Sequence, residues 1–145
     1  MHLKTIIPQS TIDENQLKTH AQNFAKICTK GDIIFFYGDL GTGKTTFIRQ
    51  MLQSLTNDKS LTVSSPTFSL MQPYQTKICE VRHYDLYRLS HPEEAFDIGL
   101  EDNINDVISL IEWPQIIEPI IDFTFKITLE HNTLENRNLK IEKHC

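Results

Sequence analysis

A glycine-rich stretch in the first third of the chain has the residue types needed to hold phosphate groups. Residues 38–45 match the phosphate-binding loop pattern Gly-x-x-x-x-Gly-Lys-Thr, which ends in Gly43, Lys44 and Thr45. Glycine lets backbone N–H groups approach phosphate oxygens with no side chain in the way. A Lys at this position neutralises charge on the terminal phosphates, and the Thr hydroxyl that follows it binds Mg²⁺. The spacing therefore predicts a site for a nucleotide and its magnesium ion.

The segments on either side of this loop have the patterns that its mechanism requires. Ile33–Tyr37 is an unbroken apolar and aromatic run, typical of a strand that is buried on both faces. Residues 46–55 contain no Gly or Pro, and their apolar residues recur at helical spacing. A helix that begins near Gly43 directs its positive end at the bound phosphate. The loop is thus expected between a buried strand and a helix.

A nucleotide-bound magnesium ion also needs an acidic residue, which holds the metal directly or through water and orients the attacking water. Glu112 follows the apolar run Val107–Ile111 and so is expected at the end of a second buried strand. Because the C-terminal ends of parallel strands meet at one edge of a sheet, Glu112 is the first candidate. Asp85, which lies among aromatic residues, is the second. Which of the two acids orients the water stays open at this stage.

The other segments predict an α/β fold, with a mixed, mostly parallel sheet flanked by helices and antiparallel extensions. Residues 69–74 and 78–84 are predicted to form two strands of a hairpin, joined by residues 75–77. Alternating polarity at 123–129 and 138–142 predicts a second antiparallel pair. Residues 92–96 are expected to open a short helix. The 145 residues are enough for one domain, residues 1–145, and not for two.

At the N-terminus, Leu3–Ile7 is predicted to form a short strand that Pro8 ends. Thr11 and Glu14 have the spacing of a capping box and predict the start of a helix that Gly31 ends.

The charge balance argues against direct binding to nucleic acid. The chain has 14 Lys and Arg against 19 Asp and Glu, a formal charge of −5, and no run of basic residues. Phosphate contacts require clustered basic side chains, so any tRNA partner is expected to be bound only indirectly. Three widely separated cysteines form no disulfide or zinc pattern, and the six histidines, without metal-ligand spacing, are expected to be structural or exposed. With no membrane segment predicted, we expect a cytoplasmic protein.

Four motifs, in this order and spacing, resemble those of the bacterial TsaE family, also called YjeE. They are GDLGTGKTTF at 38–47, SPTF at 65–68, HYDLYRL at 83–89 and EWP at 112–114. The resemblance implies a small P-loop ATPase with a P-loop NTPase-like fold. It also implies a role in making threonylcarbamoyl-adenosine beside the tRNA anticodon, together with the TsaD and TsaB proteins, of which TsaD carries the transferase chemistry.

The resemblance also implies roles for individual residues. The ATP phosphates would be held by the loop residues Gly41, Thr42, Gly43, Lys44, Thr45 and Thr46. Thr45 and Glu112 would hold magnesium, and Asp85 would serve the metal or the water. Residues 65–67 match a switch-like segment near the γ-phosphate. Arg137 falls near the Gly-Arg of the family's C-terminal hairpin, which lies by the nucleotide, although Asn136 replaces that Gly here.

Two other functions fit a phosphate loop. A small-molecule kinase needs a lid that carries arginines and an acceptor pocket. After Glu112 the basic residues are Lys126, Arg137, Lys140 and Lys143, spread over predicted strands, so no lid helix is expected. A nucleotide-sensing module with little turnover is the other alternative, because no arginine finger stands out and hydrolysis by the chain alone should be slow.

Overall fold

A seven-stranded sheet with helices on both faces forms the framework of the computed structural model, which describes residues 2–145. The strands are β1 (Leu3–Ile12), β2 (Ile33–Tyr37), β3 (Met71–Gln75), β4 (Glu80–Asp85), β5 (Ile108–Glu112), β6 (Phe125–His131) and β7 (Arg137–His144). The helices are α1 (Glu14–Ile27), α2 (Lys44–Thr56) and α3 (Pro92–Asp97), with single 3₁₀ turns at Ile104–Asp106 and Pro114–Ile116.

The sheet has a parallel centre and antiparallel edges. Its strand order is β1-β7-β6-β2-β5-β4-β3. The pairs β6–β2, β2–β5 and β5–β4 are parallel, and the outer pairs β1–β7, β7–β6 and β4–β3 are antiparallel. The predicted α/β class, the two antiparallel pairs and the presence of both apolar strands in one sheet are all confirmed.

The apolar runs of β2 and β5 explain why these strands lie at the centre. Alternate residues of β2 face opposite sides of the sheet, and both sides are covered. Ile34 and Phe36 pack with α1 and α2 in one core cluster. Phe35 packs in the other, together with Ala95 of α3 and Ile117. A strand buried on both faces has no polar side to turn to water, which holds β2 in the middle.

The N-terminal prediction needs two corrections. Strand β1 does not end at Pro8 but continues to Ile12, with register shifts on either side of Ile7. Proline is tolerated there because β1 is an edge strand and is irregular at this point. The helix cap is Asp13 rather than Thr11. Asp13 Oδ1 accepts the Gln16 N–H at 2.8 Å, and Gln16 Oε1 accepts the Asp13 N–H at 2.9 Å.

Helix α1 also ends earlier than predicted, at Ile27 rather than near Gly31. Its cap residue, Cys28, has extended backbone angles. Gly31, at φ +90°, instead belongs to the turn that leads into β2. No helix within residues 2–145 combines the length and the apolar content needed to cross a bilayer.

Phe47 connects α2 to the rest of the larger core. It is fully buried, and its ring centroid lies 5.8 Å from that of Phe36 and 6.0 Å from that of Phe24. We expect Phe47→Ala to lower the free energy of unfolding by about 3–5 kcal/mol, because it leaves a cavity and removes aromatic contacts. Urea denaturation measures this value. Phe68, 85% exposed, provides the matched control, and Phe68→Ala should change it by less than about 0.5 kcal/mol. Equal effects of the two substitutions would contradict the core assignment.

Candidate nucleotide site

The glycine-rich loop runs from the end of β2 to the start of α2. Gly43 precedes the first residue of α2 and has φ +106°, a conformation that side chains disfavour. A Cβ atom at Gly43 would lie 2.5 Å from Nη1 of Arg137 and 3.1 Å from Cδ2 of Leu17. Any larger residue would therefore push against α1 and the β6–β7 hairpin. The loop backbone lies close to both, as its glycines allow.

A cavity of about 400 Å³ opens above this loop and brings together most of the residues that the sequence singled out. Those that line it are Gly41, Gly43, Lys44, Thr45, Thr46, Asp85, Glu112 and Arg137. Thr42 does not line it: its side chain is buried, and its hydroxyl donates to the Asp39 carbonyl at 2.9 Å. Glu14, Tyr87 and Trp113 also line the cavity.

The two acidic candidates lie side by side at the C-terminal edge of the sheet. Glu112 is in register with Phe36 of β2 on one side and with Asp85 of β4 on the other. Both carboxylates are buried, with Glu112 at 3% exposure and Asp85 at 5%. The Thr45 hydroxyl lies 3.3 and 3.4 Å from the two carboxylate oxygens of Glu112. This set of oxygen donors suits Mg²⁺, which is commonly held by one or two carboxylates together with substrate phosphates.

Asp85 is tied to the segment that follows α2. Its Oδ2 atom accepts a short hydrogen bond from the Ser65 hydroxyl, and its Oδ1 atom accepts the Tyr87 N–H at 3.0 Å. Its own N–H donates to the Leu70 carbonyl at 3.0 Å. Ser65 and Thr67 both line the cavity. The switch-like segment is thus hydrogen-bonded directly to an acid of the site.

His83 begins the HYDLYRL motif, but it was assigned no role in the site from the sequence. Its side chain is fully buried, with Nε2 2.6 Å from Oε2 of Glu112. The expectation that the histidines are structural or exposed did not include this contact. A signal was available, because His83 and Asp85 are two residues apart on one strand and must face the same side of the sheet.

Lys44 lies between the loop and an aromatic side chain. Its Nζ atom donates to the Gly38 carbonyl at 2.5 Å and lies 3.7 Å from the centre of the Trp113 ring. Burial lowers the pKa of the Lys44 ammonium, and the nearby carboxylates of Glu112 and Asp85 partly oppose this shift. Stacking on the indole face compensates a partly desolvated cation. Trp113 thus occupies one side of the position from which Lys44 would reach a phosphate.

The arginines of the sequence fall in different places. Arg137 lies beside Gly43 and lines the cavity. Arg82 lies elsewhere: it pairs with Glu80 at 2.6 Å and donates to the Asp102 carbonyl. The Arg88 guanidinium lies 4.8 Å from the ring centre of the exposed Phe68. Arg49, on α2, donates to the Thr46 hydroxyl at 3.3 Å. Of these four arginines, Arg137 is the one that lines the cavity.

The sequence model of the family described as "Threonylcarbamoyl adenosine biosynthesis protein TsaE" matches residues 11–139. This range covers all four motifs and most of the chain. The chain belongs to the TsaE family.

Curated TsaE-family relatives match over most of their length. The tRNA threonylcarbamoyladenosine biosynthesis protein TsaE of Rickettsia typhi is 39% identical over 124 residues, which cover 82% of this chain and 85% of that protein. The protein of the same name from Aquifex aeolicus is 30% identical over 139 residues, 96% and 94% of the two chains. The crystal structure of Bacillus subtilis YdiB aligns with a TM-score of 0.74 at 21% identity, covering 99% of this chain and 88% of that one, and shows the same fold.

Trp113, the single tryptophan of this TsaE-family chain, allows a direct test of the Lys44 contact. We expect saturating Mg²⁺–ATP to change its fluorescence emission, because phosphate oxygens compete with the indole ring for the Lys44 ammonium. A fluorescence titration measures the change. Lys44→Ala should abolish it. Lys140→Ala should preserve it, since Lys140 pairs with Glu142 on β7, 3.5 Å away. Unaltered emission at saturating ATP would contradict the proposed position of the phosphates.

Proposed function

We propose that this protein is the ATP-binding and ATP-hydrolysing subunit of the machinery that makes threonylcarbamoyl-adenosine beside the tRNA anticodon, and that it acts through the TsaD–TsaB complex. Membership of the TsaE family supports the pathway. The proposed chemistry rests chiefly on one observation: the glycine loop, the Thr45 hydroxyl and the carboxylates of Asp85 and Glu112 line a single cavity.

The position of each of these groups indicates its role in ATP binding or hydrolysis. The loop N–H groups and the positive end of α2 stabilise the phosphate charge. Lys44 adds a mobile positive charge, and Arg137, beside Gly43, is close enough to contribute another. Thr45 and Glu112 would hold the magnesium ion, which when bound neutralises negative charge on the β- and γ-phosphates. Asp85 is the second acid available to orient the attacking water.

Hydrolysis by the chain alone should be slow. A fast P-loop hydrolase needs a positive group that stabilises charge at the γ-phosphate in the transition state. Arg82 is engaged with Glu80 and the Asp102 carbonyl, and Arg88 lies over Phe68. Neither is available without rearrangement, and the two cations that line the cavity, Lys44 and Arg137, are already assigned to the phosphates of bound ATP. We therefore propose that docking to the partner complex completes the site and raises the rate.

The kinase alternative gains no support from the fold. Lys126, Lys140 and Lys143 lie within strands β6 and β7, where they cannot form a closing lid. A product assay separates the two functions. An ATPase releases inorganic phosphate in proportion to ADP, whereas a kinase transfers the phosphoryl group to an acceptor.

Glu112→Gln tests the proposed acid. The amide keeps the size of the side chain and removes the charge that magnesium or its bound water needs. We expect ATP still to bind, and hydrolysis in the presence of TsaD and TsaB to fall by about 10²-fold or more. Calorimetry and phosphate release measure the two quantities. Glu101→Gln, on an exposed turn, is the matched control and should hydrolyse ATP normally. If Glu112→Gln hydrolysed ATP at the wild-type rate, the role of the essential acid would be assigned to Asp85 instead.

Nucleotide-dependent docking tests the link to the partners. The loops at 65–68 and 85–89 adjoin the proposed γ-phosphate position, and such loops commonly change order with the nucleotide. We expect the TsaD–TsaB complex to be bound at least about fivefold more tightly with ATP than with ADP or no nucleotide, a coupling typical of such switches. Calorimetry in the three states measures this ratio. Equal affinities, together with no stimulation of hydrolysis by the partners, would exclude the switch.

A further inference from the structure

We propose that His83 is a positioning residue that fixes the Glu112 carboxylate in the orientation needed for Mg²⁺. The inference rests on the proposed function, because it assumes that Glu112 serves the metal that accompanies ATP. Nothing in the phosphate-loop pattern requires a histidine at this position, so the assignment comes from the side-chain contacts alone.

The sheet register brings the two side chains together. His83 is in register with Leu110, and Asp85 with Glu112, so His83 lies one strand away from Glu112 and two residues further back. All four side chains face the same side of the sheet. Nε2 of His83 lies 2.6 Å from Oε2 of Glu112, and the two side chains are 0% and 4% exposed. Water therefore has little access to the hydrogen bond that joins them.

The contacts of Glu112 show what this hydrogen bond does. The Thr45 hydroxyl is 3.3 and 3.4 Å from the two Glu112 oxygens, appreciably further than Nε2 of His83. The shorter contact, with His83, therefore sets the side-chain conformation of Glu112, while the Glu112 carboxylate remains directed at Thr45. Partners behind a ligating group commonly act in this way, holding the ligand in one orientation and tuning its affinity for metal.

Packing alone gives a poor reason for a histidine here. Its Nδ1 atom is buried and has no hydrogen-bond partner among residues 2–145. Its neighbours on this face of the sheet, Val81 and Leu110, belong to the larger apolar core. An apolar pair in place of a buried His–Glu pair would often be neutral or stabilising for folding. Folding stability therefore gives no reason for the pair at this core position, whereas orientation of Glu112 does.

The test measures magnesium linkage rather than turnover. Calorimetry gives the ATP affinity of each variant with excess Mg²⁺ and with EDTA, and the ratio of the two is the gain due to the metal. We expect His83→Leu to reduce this gain by about 10- to 100-fold, the usual effect of removing such a partner. The affinity in EDTA should not change, because His83 does not line the cavity.

His83→Gln is the conservative variant. Its amide N–H reaches about as far as Nε2 of histidine and can donate to Glu112, so it should keep most of the gain. The amide of His83→Asn is too short to reach and should lose it. If His83→Leu fails to fold, the contrast between the Gln and Asn variants decides the question.

The double variant His83→Leu, Glu112→Gln shows whether His83 acts through Glu112. If it does, adding His83→Leu to Glu112→Gln should leave the remaining gain unchanged. The inference would be overturned if His83→Leu kept the full gain in ATP affinity from Mg²⁺. It would also be overturned if His83→Leu lowered the ATP affinity by the same factor in EDTA as in Mg²⁺. No magnesium gain in the wild-type protein would instead refute the proposed function, so the two failures are distinguishable.

Discussion

The parallel register of β2, β5 and β4 is the constraint on which the site depends. Phe36, Glu112 and Asp85 stand opposite one another in three adjacent strands. The glycine loop leaves β2 just beyond Phe36, so the register alone brings both carboxylates to the loop. Because side chains alternate along a strand, a slip of one residue would turn both acids to the opposite face. The apolar residues of β2 and β5 that fill the two cores therefore also fix the geometry of the site.

The same register brings several buried charged side chains close together. Lys44, Asp85 and Glu112 are each at most 5% exposed. A single buried charge without a partner costs several kcal/mol, so these groups must be compensated locally. Lys44 has the Gly38 carbonyl and the Trp113 ring, Asp85 has Ser65 and the Tyr87 N–H, and Glu112 has His83. Each charge thus has a polar or aromatic partner in direct contact with it.

Much of this arrangement could be predicted from the sequence. The strand, loop and helix around residues 38–45 carry a strong local signal, since the glycines, the lysine and the apolar runs all point to one structure. Parallel pairing then follows for β5, because a short, largely apolar strand that ends in an acid fits the centre of such a sheet. Glu112 could be named as an acid of the site for the same reason, and Asp85 as the second candidate because it lies among aromatic residues. That the two are neighbours is known only from the register of β4 and β5.

What the sequence did not reveal depends on contacts between distant segments. Thr11 and Asp13 are both good helix caps, and the choice was settled by Gln16 together with a bond from Thr11 to Asn138 on β7. Strand β1 passes Pro8 because its partner β7 is long enough to pair beyond the irregularity. The partner of His83 depends on the register between β4 and β5, which no local pattern encodes.

The same contacts connect the proposed phosphate position to the protein surface. Lys44 stacks on Trp113, whose ring centre lies 4.7 Å from that of Tyr87. The Tyr87 N–H binds Asp85, and Asp85 binds Ser65, three residues before Phe68. Tyr87, within this chain of contacts, is 57% exposed, and Phe68, beyond its end at Ser65, is 85% exposed, so both side chains are open to solvent. Under the proposed function, a displacement of Lys44 by phosphate would alter the packing of Trp113, and through it the contact with Tyr87. The proposed nucleotide-dependent docking would then need no long-range rearrangement, because the residues that would meet the ATP and those that would meet a partner already touch.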